Sequence, residues 1–492
     1  MNSFTDSWLG SDFKNKSLIL YWIVVILSAT TAILSESIIP LLVPAVLLFL
    51  AFSLNNLDKV FLLLFFLIPF SNEFQVTDSL GTDMPSEPLM WFLFVVYLFA
   101  LFTNKTLRSG AIYSHPLTWL IFLHLGWIIF SLFFAVNQLI AMKFFLAKCW
   151  YLGVFYFLAY YLIDKKITLN KILGVTFSAL LITAIIIFIR HGLEGGFTFR
   201  SINSVVGPFY RNKVAYSSII ALLLPLIWYL WTESKNYSGR RKLIFISILF
   251  LLVALYFGYT RAAMISLFAA VFTPLLFRLK LTKLALAGAI LSIGGLSYFM
   301  FSGEKYLEYA PNYETTIMHY QYGNLLEATY QFEDISTMER FYRWIAGYYM
   351  VVEKPFTGFG PNNFYETYKA FTVRSYQTYV SDNPEQSGIH NYYLMMLIEQ
   401  GIPGFLIFFS ICVVFLIRAE NLYHRLPKGS ERNLLIAIAA SMIVILLLQL
   451  MNDQIEVDKV GSFFWLWMAV LIKLESGWEK DEAKLEHNLK SL

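Results

Sequence analysis

The sequence is poor in charge and in cysteine. Of its 492 residues only 14% are Asp, Glu, Lys or Arg, against roughly 25% in an average soluble domain. A chain so short of charge has no large water-soluble domain, apart from one central loop. A formal net charge of +4 is too small to suggest a nucleic acid partner. The 2 cysteines, Cys149 and Cys412, lie in apolar runs with no neighbour at metal-ligand spacing, which points to buried free thiols and away from a disulfide framework. Also missing are a Gly-x-Ser-x-Gly elbow, a Walker-type phosphate loop and an Asp-x-Asp pair to hold a metal-bound nucleotide sugar. Nucleotide-driven chemistry is therefore not expected. An activated donor has to carry its own leaving group and arrive from the membrane.

What is abundant is apolar: 58% of residues are hydrophobic and 18% aromatic. A transmembrane helix needs about 20 apolar residues. Runs of that kind recur from Leu18 to Phe301 and again from Asn391 to Leu474. They predict an all-α, polytopic membrane helical bundle of 12–14 transmembrane helices with one large helical loop, surrounded by membrane lipids. The organisation expected is an N-terminal transmembrane bundle over 1–302, a loop over 303–389, C-terminal transmembrane helices over 390–475 and a tail over 476–492. Segment 58–70 is short enough to be re-entrant. The first run lacks a small-residue cleavage site, so it reads as a retained span.

Flanking charge gives the orientation, because lysine and arginine collect in cytoplasmic loops. With the N-terminus inside, those loops hold Lys165, Lys166 and Lys171, then Arg240, Arg241 and Lys242, then Arg278, Lys280 and Lys283, and later Arg418, Arg425, Lys428 and Arg432. The opposite loop "SNEFQVTDSLGTDMPSEP" carries acids and no base. Residues 303–389 then face outside, which in a bacterium is the periplasm, and the tail is cytoplasmic. Two outer segments break this pattern, with Arg190, Arg200 and Arg211 in one and Arg261 in the tight turn "YTRAA". One such arginine is explained by snorkelling to the interface. Several on one side favour a shared anionic ligand.

Within the loop, "STMERFYRWIAGYYMVVE" reads as a helix, with Phe341, Trp344, Ile345, Tyr348 and Val352 at helical spacing. Arg340 and Arg343, three apart, project from neighbouring positions. "EKPFTGFGPNNF" follows as a Pro/Gly turn. It reads either as an anion nest of backbone N–H groups or as a structural turn packing the helix onto the bundle. The many tyrosines suit a membrane interface and equally suit stacking on sugar rings.

Of the histidines, His191, His319 and His390 face outside, and none has the paired spacing of a zinc site, so no metal site and no cofactor are expected. His390 is the best-placed titratable group. It opens a helix running into the membrane, and its unperturbed pKa of about 6.5 suits proton removal near neutrality. Such a histidine is also commonly a cap or interface residue. Glu399, nine positions on, is out of phase with it on an ideal helix and reads as a paired buried acid.

"HNYYLMMLIEQGIPG", His390 to Gly404, resembles the H-[NSR]-x9-G-x-x-G pattern of the bacterial O-antigen ligase family, which shares its core domain with O-antigen polymerases and protein O-oligosaccharyltransferases. "RWIAGYYMVVEKPFTGFGPNNF", "YTRAAMISL" and "RSINSVVGPFYRNKVAYSSIIALLLP" resemble further family segments in the same order. The resemblance implies a metal-independent glycosyltransferase of the bacterial inner membrane, multi-pass, with its active site facing the periplasm. Its donor would be a glycan on undecaprenyl diphosphate and its acceptor a sugar hydroxyl of lipid A-core. His390 would correspond to the essential histidine, as base. Arg200 or Arg211, together with Arg261, would hold the diphosphate, and Arg340 joins them from the loop. A polymerase, a protein O-oligosaccharyltransferase and, outside the family, a membrane transporter are the alternatives.

Overall fold

In lipid, every backbone N–H and C=O must find its partner within the protein, and a helix does this within one segment. The computed structural model describes residues 11–77, 80–103, 105–108, 110–163, 166–235, 237–310, 335–377, 381–383 and 387–490. Much of the expected loop, including His319, therefore lies outside the described residues. The described chain is almost entirely helical.

Two units divide the chain, Met1–Phe65 and Phe66–Leu492. The first contains α1 (Ser11–Leu34) and α2 (Leu42–Asn55), joined by a hydrogen bond from Tyr21 Oη to Pro44 O at 3.4 Å. The short helix α3 (Leu57–Leu67) follows them in the chain. The second unit continues with α4 (Ser86–Thr103), α5 (Pro116–Leu132), α6 (Gln138–Tyr151), α7 (Lys166–Gly195), α8 (Lys213–Glu233) and α9 (Ser238–Phe257). Next come α10 (Arg261–Val271), α11 (Thr282–Phe301), α12 (Ile335–Glu353), α13 (Tyr392–Arg425), α14 (Ser430–Leu448) and α15 (Asp458–Lys490). Nine helices among the described residues are long and apolar enough to cross a membrane, and three shorter apolar helices accompany them. Helix α9 has an apolar body too, but opens on Arg240, Arg241 and Lys242. The expected range of spans is thus reached by counting these shorter and charged-ended helices.

Burial separates core spans from lipid-facing ones. In Lys213–Glu233, Ser430–Leu448 and Asp458–Glu479, 78%, 67% and 72% of the apolar window is buried within the protein, against 0% for Thr282–Tyr309. An apolar helix with no buried residue in its window has only lipid to bury it. The core spans carry Trp465 and Trp467, fully buried, and Trp467 Nε1 donates to Ser441 Oγ at 3.0 Å, which satisfies the one polar atom of that indole.

Two details depart from the sequence reading. The acidic loop after α3 folds as an antiparallel hairpin, β1 (Asn72–Thr77) with β2 (Leu80–Met84), pairing Asn72 with Met84 and Phe74 with Thr82. The tail over 476–492 is a continuation of α15 as far as Lys490. The fold is otherwise the all-α polytopic arrangement expected.

Candidate functional site at the start of helix α13

Helix α13 begins where three other parts of the second unit meet. Asn391 caps it, its Oδ1 accepting from Leu394 N at 3.0 Å. The Tyr392 N–H donates to the carbonyls of Gln449 and Asn452 at 2.9 and 3.1 Å. Tyr392 Oη donates to Glu456, and the same carboxylate accepts from Lys148 Nζ at 2.6 and 2.8 Å. The first turn is thereby fixed to α6 and to the connection between α14 and α15.

His390 stands just before this cap with φ +57°, a left-handed conformation uncommon for a residue with a Cβ. Such strain persists only where the surroundings over-determine it, and here they do. Arg343 Nη1 donates to Ser387 Oγ at 3.1 Å and to Gly388 O at 2.9 Å. Trp344 Nε1 donates to Ile389 O at 3.0 Å. Gly388 lies against the Asp453 carboxylate, so closely that a Cβ there would collide with Oδ2. A side chain at 388 would require the Asp453 carboxylate to move aside.

Helix α12 supplies the anchor, with a different face from the one its apolar spacing suggested. Met338, Tyr342, Ile345, Ala346 and Met350 are buried, while Tyr348 and Val352 are 38% and 60% exposed. The rotation turns a polar pair inward. Glu339 and Arg343 are both buried, 3.4 Å apart, and Ser381 Oγ donates to Glu339 at 2.6 Å. Arg343 Nε is buried and has no hydrogen-bond partner among the described residues.

The electrostatics follow from this crowding. Burial, then Arg340, Arg343 and Arg211 in that order, push His390 from its ordinary 6.5 down to about 3. The imidazole is neutral at any physiological pH. Burial raises Asp453 above the usual carboxylate range, against the pull of Arg211 and Arg343. Arg211 itself is largely exposed and lies 3.5 Å from Glu73 on β1, an ion pair of the weak surface kind.

The expected site residues fall into two groups. Arg340 and Arg211 both act electrostatically on His390. Arg200 and Arg261 flank an aromatic cluster in the chain. Lys213 Nζ lies 3.5 Å over the Phe199 ring, Phe199 meets Tyr259 edge-on at 5.7 Å, and Thr260 Oγ1 donates to Lys213 O at 3.4 Å. The segment from Phe199 to Lys213 runs through both groups. Arg190 is committed to the chain itself, donating to Gly207 O and pairing with Glu194 at 3.3 Å. Sequence reasoning passed over Asp453, and for Arg343 its spacing from Arg340 was the only signal.

Further along, α13 breaks. Gly401 has φ +68°, and Pro403 has no N–H to give to Glu399 O. The turn "EKPFTGFGPNNF" repairs the break. Phe359 N and Gly360 N donate to Ile398 O and Glu399 O, both at 2.9 Å, and Ile402 N donates to Pro355 O at 2.8 Å. Trp127 Nε1 donates to Gln400 O at 2.8 Å. The Glu399 carboxylate accepts from Asn362 N at 2.8 Å and Phe364 N at 3.4 Å. The turn does cradle an acceptor group, and it is the carboxyl of Glu399.

Residues 246–409 match the family model described as O-Antigen ligase. This segment is similar to the O-antigen ligase family. It takes in Arg261, Arg340, Arg343, His390 and the α13 break, while Arg200, Arg211 and Asp453 lie outside it. The similarity points to a multi-pass membrane enzyme of the glycosyl-transfer type, ligase-like or polymerase-like, acting on polysaccharide or lipid-linked substrates. No curated protein matches the chain.

Proposed function

We propose that the protein is an O-antigen ligase of the bacterial inner membrane, moving a glycan from undecaprenyl diphosphate to a sugar hydroxyl of lipid A-core at the periplasmic face. The observation that carries this reading is His390, held neutral and strained at the head of a membrane helix among Arg211, Arg340 and Arg343. A neutral imidazole accepts the proton of the acceptor hydroxyl as its oxygen attacks the anomeric carbon. The bond from that carbon to the diphosphate oxygen breaks, and the diphosphate leaves with the electron pair. Arginine forks suit the oxygens of that leaving group. Each preorganised donor at a developing charge is worth about 3–4 kcal/mol. The donor brings its own activation, so the reading calls for no cofactor.

The test is a gene deletion complemented with wild type or with a His390 variant, read on a lipopolysaccharide gel. Core bands without glycan, with lipid-linked polymer accumulating, support the ligase. Core carrying one repeat unit and no ladder reassigns the protein to polymerisation. An unchanged gel removes both.

A further inference from the structure

Helix α12 lies in the loop expected outside the membrane, yet its second half leaves large apolar side chains uncovered by the protein. Tyr348 and Val352, four apart and therefore on one face, are both exposed, and Phe356, in the turn that follows, is 69% exposed. The opposite face is closed. Ala346 and Met350 are fully buried, and a Cβ on Gly347 would collide with Ile389 and with Ile398 of α13. A contiguous apolar stripe marks a surface that meets a partner or a membrane, and its neighbours tell which. Phe301, the last residue of α11, stacks on Tyr348 with ring centroids 3.8 Å apart and planes 13° from parallel. Helix α11 lies in the candidate span whose apolar window has 0% buried within the protein, so its sides meet lipid and its end marks the edge of the hydrocarbon. Tyr298, 76% exposed in the last turn of α11, is placed as an aromatic-belt residue, and Lys305 Nζ lies 4.4 Å over the neighbouring Phe299 ring. At the other end of the stripe, Pro355 O accepts from Ile402 N at 2.8 Å, and Phe356 O lies so close to Gly401 that a Cβ there would collide with it. Ile402 opens the apolar stretch of α13 that follows the break. Tyr348 is thus level with the end of one span, and Phe356 with the start of another.

We infer that the second half of α12 dips into the membrane leaflet on the His390 side, its stripe packed on lipid acyl chains, and that the bilayer thereby grips the helix that holds the His390 loop. Interfacial helices bury an apolar face about 5–10 Å into the boundary between head groups and acyl chains. From further up the same helix, Arg343 donates to Gly388 O and Trp344 to Ile389 O. A helix passes a displacement of one end to the other, so the height of the loop follows the depth at which the stripe settles. This placement holds whichever glycan transfer the protein performs.

Depth is measured by spin labelling. With the two cysteines replaced (Cys149→Ser, Cys412→Ala), the full-length protein in phospholipid nanodiscs receives one nitroxide, at Val352→Cys or at Phe356→Cys. Collisions of the label with oxygen, which partitions into lipid, are compared with collisions with a nickel chelate, which stays in water. Leu291→Cys, on lipid-facing α11, is the lipid reference, and Ala370→Cys, exposed in the loop, is the water reference. Oxygen is expected to dominate at 352 and 356 as it does at 291, with both labels about 5–10 Å below the phosphates and 356 the deeper. Dominance of the nickel chelate at 352 and 356, as at 370, overturns the inference. Shielding of both labels from both reagents means a protein cover, a second copy of the chain included, and overturns it too. Wild-type protein supplies a test without variants. In nanodiscs containing a phospholipid with a photoreactive diazirine on its acyl chain, mass spectrometry is expected to find adducts within 348–356 as well as on α11. Adducts on α11 with none within 348–356 overturn the inference.

Discussion

Helix α13 is interrupted twice by polar groups, at its start and at its break, and the two are built in opposite ways. At the break, around Gly401, the exposed carbonyls and the Glu399 carboxylate all receive N–H groups from the chain. At the start, around His390, cations are gathered and the Nε of Arg343 has no partner among the described residues. A closed polar cluster holds the fold, because a buried group left unpaired is costly. An open one keeps something in reserve for a ligand. The difference teaches where to look for chemistry in a membrane bundle: at the polar cluster that its own chain does not complete.

Substitutions can sharpen or break this contrast. The largest effect is expected at the start. His390→Asn should lower transfer by about 10²–10⁴-fold while yield and melting temperature in detergent stay near wild type. Near-normal transfer in a purified assay would remove His390 as base. At the break the pattern should invert. Gly401→Ala drives a Cβ into Phe356 O at φ +68° and should cost about 3 kcal/mol, read as a lowered melting temperature and lost yield. Normal stability would show that the closed cluster can yield. Arg343→Lys keeps the charge but not the fork, and about a tenfold loss of transfer is expected. Full activity would mean that charge alone suffices there. Glu399→Gln replaces one acceptor oxygen and should cost only about 1 kcal/mol, a shift of a few degrees at most, with transfer retained. Loss of transfer without loss of stability would bring Glu399 into the chemistry and erase the contrast.

Much of the break was legible, because Gly401, Pro403 and the glycines of "FTGFG" carry their backbone physics in their identity. The spans were legible for the same reason, through their hydropathy. The start was less so. Arg340 and Arg343 are alike in sequence, and only the rotation of α12 decides that Arg343 goes inward. Asp453 and Glu456 sit in a short connection far from His390 in the chain, and nothing local marks them. The hairpin over 72–84 was read as a loop because its acids hide the alternation of a strand. The anion nest was half seen: the donors were recognisable, but their occupant comes from another segment.

The break has a consequence for reach. A straight helix of 34 residues would be about 51 Å long, against roughly 30 Å of hydrocarbon. Below Gly401 the remaining stretch, 402–425, measures about 36 Å and crosses by itself. The nine residues from Tyr392 to Gln400 are, on the proposed reading, surplus to crossing and serve as a pedestal, about 13 Å along the helix, between the break and His390. On the proposed reading, a carrier lipid has to present its phosphates at the height of that pedestal. Head-group reach, and not the length of the tail below, then decides which carriers can be served.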